Sequence, residues 1–357
     1  MGQDGVQAVI QRLGHSSLVS SRLLPLKSEH ALKCKTRSIQ ALTTIAQQRL
    51  KSMYSPKKAF QTQTIELRSH QYHVRTWGEH ESDQTPLILL HGWMDVGASF
   101  QFMVDALNYK GLVIAPDWRG FGDTKGPPCD HYVFADYLGD LDFLLDHFEK
   151  KLSTPKFHIL GHSMGGNVAM MYSGIQSQRV HKLINLEGFG MPPTRASMAI
   201  GRYKRWLGEL KELDQNSIGL KPYAQLEDVA KRLMKNNPRL KEDFAHWLAG
   251  HWAYQTQDQS WHLKAQAAHK VVSAHLYRVD EMMEIFKGIS APTLCVHSSD
   301  LQFNQWWKGQ YTFEQYQDRL KSIAHLSQLQ LDQCGHMLHH DQPQALAQAI
   351  DRFLSQD

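Results

Sequence analysis

The chain has 357 residues, 42% hydrophobic and 10% aromatic, with a formal net charge of +4. That length holds one large domain plus an insertion, or two ordinary domains, and a sizeable core. So small a charge does not mark a nucleic-acid binder, and no apolar run reaches the length of a membrane span.

Residues 1–60 read as a basic N-terminal extension. They hold ten Lys/Arg against Asp4 and Glu29, which is +8 and leaves −4 for the rest. Ile39, Leu42, Ile45 and Leu50 line one face of a possible helix. A helix docked on the main domain, a partly disordered arm, and a membrane-surface or transit-type segment are the alternatives. Leu18–Leu26 is too short for a signal-peptide core, and Arg22 and Pro25 interrupt it. Cys34, Cys129, Cys295 and Cys334 form no C-x-x-C pair, which points to reduced thiols and a cytoplasmic protein.

From Thr62 the period becomes that of strands. Thr62–Arg68 and His70–Trp77 alternate around a polar turn. Continuous apolar runs follow at Pro86–Leu90, Gly111–Ala115, Phe157–Leu160, Lys182–Leu186 and Pro292–Val296, as expected of strands buried on both faces. Ser327–Leu331 is an eighth candidate. Tyr132, Tyr137, Leu141, Leu144, Leu145 and Phe148 form a helical stripe, and so do Ala345, Leu346, Ile350 and Phe353. Strands alternating with helices predict a mostly parallel sheet covered on both faces. The core spans 61–188 and 290–357. Residues 189–289 carry no strand signal and read as an all-helical cap, with helical pieces at 202–213, 226–235, 240–248 and 281–285.

Gly161-His162-Ser163-Met164-Gly165 stands between the Phe157–Leu160 strand and a helical run. G-x-S-x-G in that context puts a serine on a sharp turn, its hydroxyl above the sheet. The glycines are needed because a Cβ at either place would strike neighbouring backbone. Ser163 is therefore the candidate nucleophile. A serine hydroxyl needs a base, and His336, in Gly335-His336 after the last strand, is the candidate. His339 and His340 read as packing or solvent-facing residues, and no metal or cofactor is expected. Backbone N–H groups of Trp93 and Met164 are the candidate oxyanion donors. Two carboxylates compete to orient the base. Glu187 follows the Lys182–Leu186 strand and Asp300 follows the Pro292–Val296 strand. Both give the order serine, acid, histidine, with Glu187 favoured.

Four ordered pieces, His91-Gly92-Trp93, Asp117-Trp118-Arg119-Gly120-Phe121-Gly122-Asp123-Thr124, the Gly161–Gly166 elbow and the Gly335-His336 loop ending in Pro343, resemble the α/β-hydrolase superfamily. H-G-W-x-D and the acidic residue after the strand before the cap resemble its serine hydrolase-like proteins. The resemblance implies an eight-stranded, mostly parallel sheet with a helical cap. Asp300 is one residue out of the usual acid register, whereas E-x-x-x-M-P from Glu187 is similar to haloalkane dehalogenases. Those enzymes and epoxide hydrolases use an aspartate nucleophile, and Ser163 argues against both activities.

The function expected is hydrolysis of a carboxylic ester or related acyl bond on a small hydrophobic substrate, without nucleic acid. Trp206, Trp247, Trp252, Tyr254, Trp261, Trp306 and Trp307 are candidates for pocket walls or for cap packing. A non-catalytic scaffold on the same fold and lyase-type chemistry with the same residues are the alternatives.

Overall fold

Residues 54–356 are described by the structure, a computed structural model. The Ile39–Leu50 stripe lies outside them. The last residues of the expected extension lie on the core. Tyr54 Oη donates to Asp105 at 2.5 Å, and the Lys58 N–H donates to the same carboxylate at 2.9 Å.

Eight strands form the main sheet: β1 (Phe60–Leu67), β2 (His70–Trp77), β3 (Leu87–Leu90), β4 (Val113–Pro116), β5 (Phe157–His162), β6 (Val180–Leu186), β9 (Thr293–Ser298) and β10 (Leu326–Leu331). Their order is β1-β2-β4-β3-β5-β6-β9-β10. The pairings β1–β2 and β2–β4 are antiparallel; every pairing from β4 to β10 is parallel.

The apolar runs become inner strands because both of their faces are covered. Leu87, Ile88, Leu89 and Leu90 are all fully buried. Side chains alternate across a strand, so Ile88 and Leu90 join one cluster and Leu87 and Leu89 the other. The first cluster takes in α1 (Phe134–Leu152) through Leu141 and Leu145, and α2 (Met164–Ile175) through Val168 and Tyr172. Each such fully buried side chain contributes about 1.5–3 kcal/mol of transfer free energy.

Between β6 and β9 the chain carries α3 (Ala199–Asp214), α4 (Leu226–Asn236), α5 (Glu242–Trp252) and α6 (Val279–Lys287). Helix α4 buries Val229, Ala230 and Leu233 against Phe244 and Leu248 of α5, whereas α3 buries no residue. The expected all-helical insertion is corrected here. Ala253–Gln255 (β7) and Trp261–Leu263 (β8) form an antiparallel hairpin. Three-residue strands are too short to show a period, and the turn is closed by polar contacts such as Thr256 N–H to Ser260 O at 2.9 Å. The chain returns through α7 (Phe313–Leu320) and ends in α8 (Pro343–Leu354), which lays Leu346, Ile350 and Phe353 on the second face of the sheet.

The Asp117–Thr124 segment is pinned rather than free. Asp117 accepts N–H groups from Gly97 at 2.7 Å and Asp123 at 3.0 Å, with His73 Nδ1 at 2.8 Å. Burial raises its pKa, but the bond and charge of His73 outweigh that and bring it down to about 2. Arg119 forms a bidentate pair with Asp140 of α1, which ties this loop to the helix.

Among the described residues Cys129, Cys295 and Cys334 are unpaired, and no helix is long and apolar enough to cross a membrane.

Candidate active site

Parallel register brings two loops off the sheet at one level. His162 pairs with Leu186, and Leu186 pairs with Val296. The next residues on the first two strands are Ser163 and Glu187. Ser163 N–H donates to Leu186 O at 2.8 Å, and Glu187 N–H to Val296 O at 3.1 Å. Both residues have positive φ, 52° and 54°. Such a conformation is costly for a non-glycine residue and persists only where the surroundings hold it.

Close approach explains the elbow glycines. A Cβ on Gly165 would lie 2.2 Å from Leu90 O. A Cβ on Gly92 would lie 3.2 Å from Ser163 Cβ, so the loop after β3 touches the elbow itself.

His336 Nδ1 lies 2.6 Å from Glu187 Oε2. A carboxylate only accepts, so Nδ1 carries the hydrogen and Nε2 is left with its lone pair. Glu187 is held from its other oxygen by the Ser298 N–H at 2.7 Å, and its side chain is 1% exposed. Asp300 does not meet His336. Its carboxylate pairs with Arg239 at 3.0 Å on the surface, both side chains largely exposed. Of the two candidate acids, the fold therefore brings Glu187 alone to the histidine.

Ser163 and His336 line one cavity of about 280 Å³, with Gly92, Trp93, Trp252 and Trp306. Among the described residues no hydrogen bond joins the Ser163 hydroxyl to His336. In ligand-free sites such bonds are often long and tighten when substrate is bound. The ring of Trp306 meets that of His336 edge-on at 4.7 Å.

Trp93 N–H and Met164 N–H have no hydrogen-bond partner among the described residues. Met164 opens α2, whose first N–H groups have no partner within the helix. Trp93 N–H is aimed by its neighbour. The Trp118 N–H donates to His91 Nε2 at 2.9 Å, which leaves the hydrogen of this neutral ring on Nδ1. Nδ1 lies 2.8 Å from Gly92 O and donates to it. Burial brings the His91 pKa down to about 4, so the ring stays neutral. In a trans peptide the C=O of Gly92 and the N–H of Trp93 point opposite ways. Holding the carbonyl on His91 turns the N–H away from His91.

The expected aromatic walls divide. Trp252 and Trp306 line the cavity; Trp206, Trp247, Tyr254, Trp261 and Trp307 do not. Trp247 packs on Tyr54 and Phe102. The cavity is less apolar than expected, since Arg232, Asn236 and Gln302 also line it.

His162, Asp95, His339 and His340 were not singled out as site residues. All are buried. His162 Nε2 donates to the His336 carbonyl at 2.8 Å and so braces the loop that carries His336. One signal was available: His162 directly precedes Ser163. Asp95, His162 and His339 place ligating atoms within 4.8 Å of one another. His336 is not in that group, so the three loop histidines do not form a cluster of their own.

The alpha/beta hydrolase family model matches residues 87–349. The chain is 25% identical over 284 residues to a serine hydrolase-like protein of Danio rerio, covering 78% of this chain and 84% of that one. It is 34% identical over 102 residues to epoxide hydrolase 2 of Siraitia grosvenorii, covering 28% and 31%. The thioesterase domain from the curacin biosynthetic pathway superposes with a TM-score of 0.67 at 20% identity, covering 82% of this chain and 99% of that domain.

Proposed function

Because the chain belongs to the alpha/beta hydrolase family, we propose that it is a serine hydrolase acting on carboxylic ester or related acyl bonds through Ser163, His336 and Glu187. The observation that carries this reading is the 2.6 Å contact between His336 Nδ1 and Glu187, with His336 and Ser163 lining one cavity.

His336 Nε2 takes the Ser163 proton as the oxygen attacks the carbonyl carbon. The imidazolium that forms is stabilised by the Glu187 carboxylate. Trp93 N–H and Met164 N–H receive the oxyanion; each such donor is worth about 3–4 kcal/mol of barrier. The imidazolium then protonates the leaving alcohol or thiol. Water, deprotonated by the same Nε2, attacks the acyl-enzyme, and collapse of the second oxyanion frees the acid and restores Ser163. The reading calls for no cofactor.

Serine at the elbow separates this chemistry from that of the epoxide hydrolases it partly matches. The thioesterase name of the structural neighbour is in keeping with acyl transfer. A cavity of about 280 Å³ suits a small acyl or alcohol group. Arg232, Asn236 and Gln302 on its wall favour a substrate with a polar end over a wholly hydrophobic one.

The test is a series of p-nitrophenyl esters of increasing chain length with a fluorophosphonate probe. Wild type hydrolyses the short members and gains one phosphonyl adduct on Ser163; Ser163→Ala does neither while keeping its fold. Ester turnover by Ser163→Ala, or a folded wild type that ignores both reagents, overturns the assignment.

A further inference from the structure

Asp95 from the loop after β3, His162 at the end of β5 and His339 from the short helix Leu338–Asp341 meet in a buried group. Among the described residues, Asp95 Oδ2, His162 Nδ1 and both ring nitrogens of His339 have no hydrogen-bond partner. Buried polar atoms are rarely left so, and several at one place call for a water or an ion between them. His162 donates from Nε2 to the His336 carbonyl, so its Nδ1 offers a lone pair. Asp95 has Oδ1 occupied by Ser99 and the Val96 N–H, which leaves Oδ2 free. Among the described residues no cation pairs with Asp95.

We propose that Asp95, His162 and His339 bind one divalent transition-metal ion of the zinc, cobalt or nickel kind, and that the bound ion silences the hydrolase. Two imidazoles and a carboxylate suit these borderline ions rather than magnesium or calcium, which prefer oxygen ligands. His162 also has the outer bond of a metal-ligating histidine, its second ring nitrogen donating to a backbone carbonyl. Tetrahedral zinc, with bonds of about 2.0–2.1 Å, holds its donors about 3.4 Å apart. From a spacing within 4.8 Å, each donor closes inward by less than about 1 Å. Asp95 and His162 line the cavity of Ser163 and His336, which gives the ion its way in.

Silencing follows from charge. The His162 ring lies 4.8 Å from the His336 ring. A divalent cation on the far side of His162 opposes the imidazolium that His336 must become during acyl transfer. The ion also fixes His162, and with it the His336 backbone. The silencing rests on the proposed function; the binding does not.

The experiment titrates Co²⁺ into the full chain, following visible absorption and, by equilibrium dialysis, stoichiometry. One ion per chain is expected, displaced by Zn²⁺ and bound equally by Ser163→Ala. His339→Phe and Asp95→Asn each weaken binding about tenfold or more. His339 is fully buried, so circular dichroism checks the fold, and His339→Gln gives a second reading if the phenylalanine is not accommodated. His246→Gln, which removes the histidine of an exposed group with Glu227 and Glu242, leaves binding unchanged. Zn²⁺ lowers wild-type ester turnover and EDTA restores it. Absence of a cobalt spectrum overturns the proposal and leaves a buried water as the occupant. Binding that ignores His339 and Asp95 overturns it too. Ion binding without inhibition overturns the silencing; an enzyme inert towards every ester fails the proposed function and leaves the binding result standing.

Discussion

Glu187 Oε2 lies 2.6 Å from His336 Nδ1, and Ser298 N–H holds the other carboxylate oxygen at 2.7 Å. The carboxylate thus fixes which imidazole nitrogen carries the hydrogen. Glu187→Gln keeps the shape but can present an amide N–H to Nδ1 and so reverse the tautomer. We expect kcat on an aryl ester to fall roughly 10³–10⁴-fold with little change in KM. Asp300→Asn, which only breaks a surface pair with Arg239, should stay within about twofold. Steady-state kinetics of the two variants side by side decide the acid; the reverse ranking would restore Asp300.

The sheet was legible because its inner strands are unbroken apolar runs, and the motifs then placed their loops on one rim. Glu187 against Asp300 was not, because β6 and β9 are parallel neighbours and chain order suits either acid. Register separates their positions. Glu187 leaves the sheet level with Ser163, whereas Asp300 lies two residues past the end of β9. The β7–β8 hairpin was missed because three residues give no period. Asp95, His162 and His339 were missed as a group because nothing local in the sequence links a loop, a strand end and a short helix so far apart in the chain.

His91 bears on the proposed oxyanion donor, Trp93 N–H, through the Gly92–Trp93 peptide. Its role is positional, since its own nitrogens are taken up by Trp118 N–H and Gly92 O. His91→Phe fills the space but frees the Gly92 carbonyl, and the Trp93 N–H loses its aim. We expect kcat to fall about 10²-fold with KM nearly unchanged, close to the loss of one oxyanion donor. His91→Asn, which can still donate to a carbonyl, should recover part of it. A rise in KM at constant kcat would place His91 in substrate binding instead.

Gly165→Ala tests the packing of the elbow on β3. The added methyl would lie 2.2 Å from Leu90 O, a backbone atom that cannot rotate away. Backbone must shift, and we expect a loss of about 3 kcal/mol or more. Thermal unfolding checks this. A variant as stable as wild type would mean that the elbow does not press on Leu90 O.

Asp95 makes stability depend on pH in the direction opposite to an ordinary paired carboxylate. Desolvation raises its pKa from 3.8 to about 7, against the pull of Ser99 and the Val96 N–H. The folded state therefore binds this proton more tightly than the unfolded chain does. Its contribution is complete below about pH 4 and is lost as pH rises through 7. Burial lowers the pKa values of His162, His339 and His340 instead. These histidines act the other way, weakening the fold as pH falls below 6.5. Wild type and Asp95→Asn share them, so the difference between the two proteins isolates the carboxyl. Urea unfolding with EDTA present, at pH 5 and pH 8, should show wild type losing about 2–3 kcal/mol relative to Asp95→Asn. A difference independent of pH would mean that Asp95 is ionised throughout, with a counter-charge that EDTA does not remove.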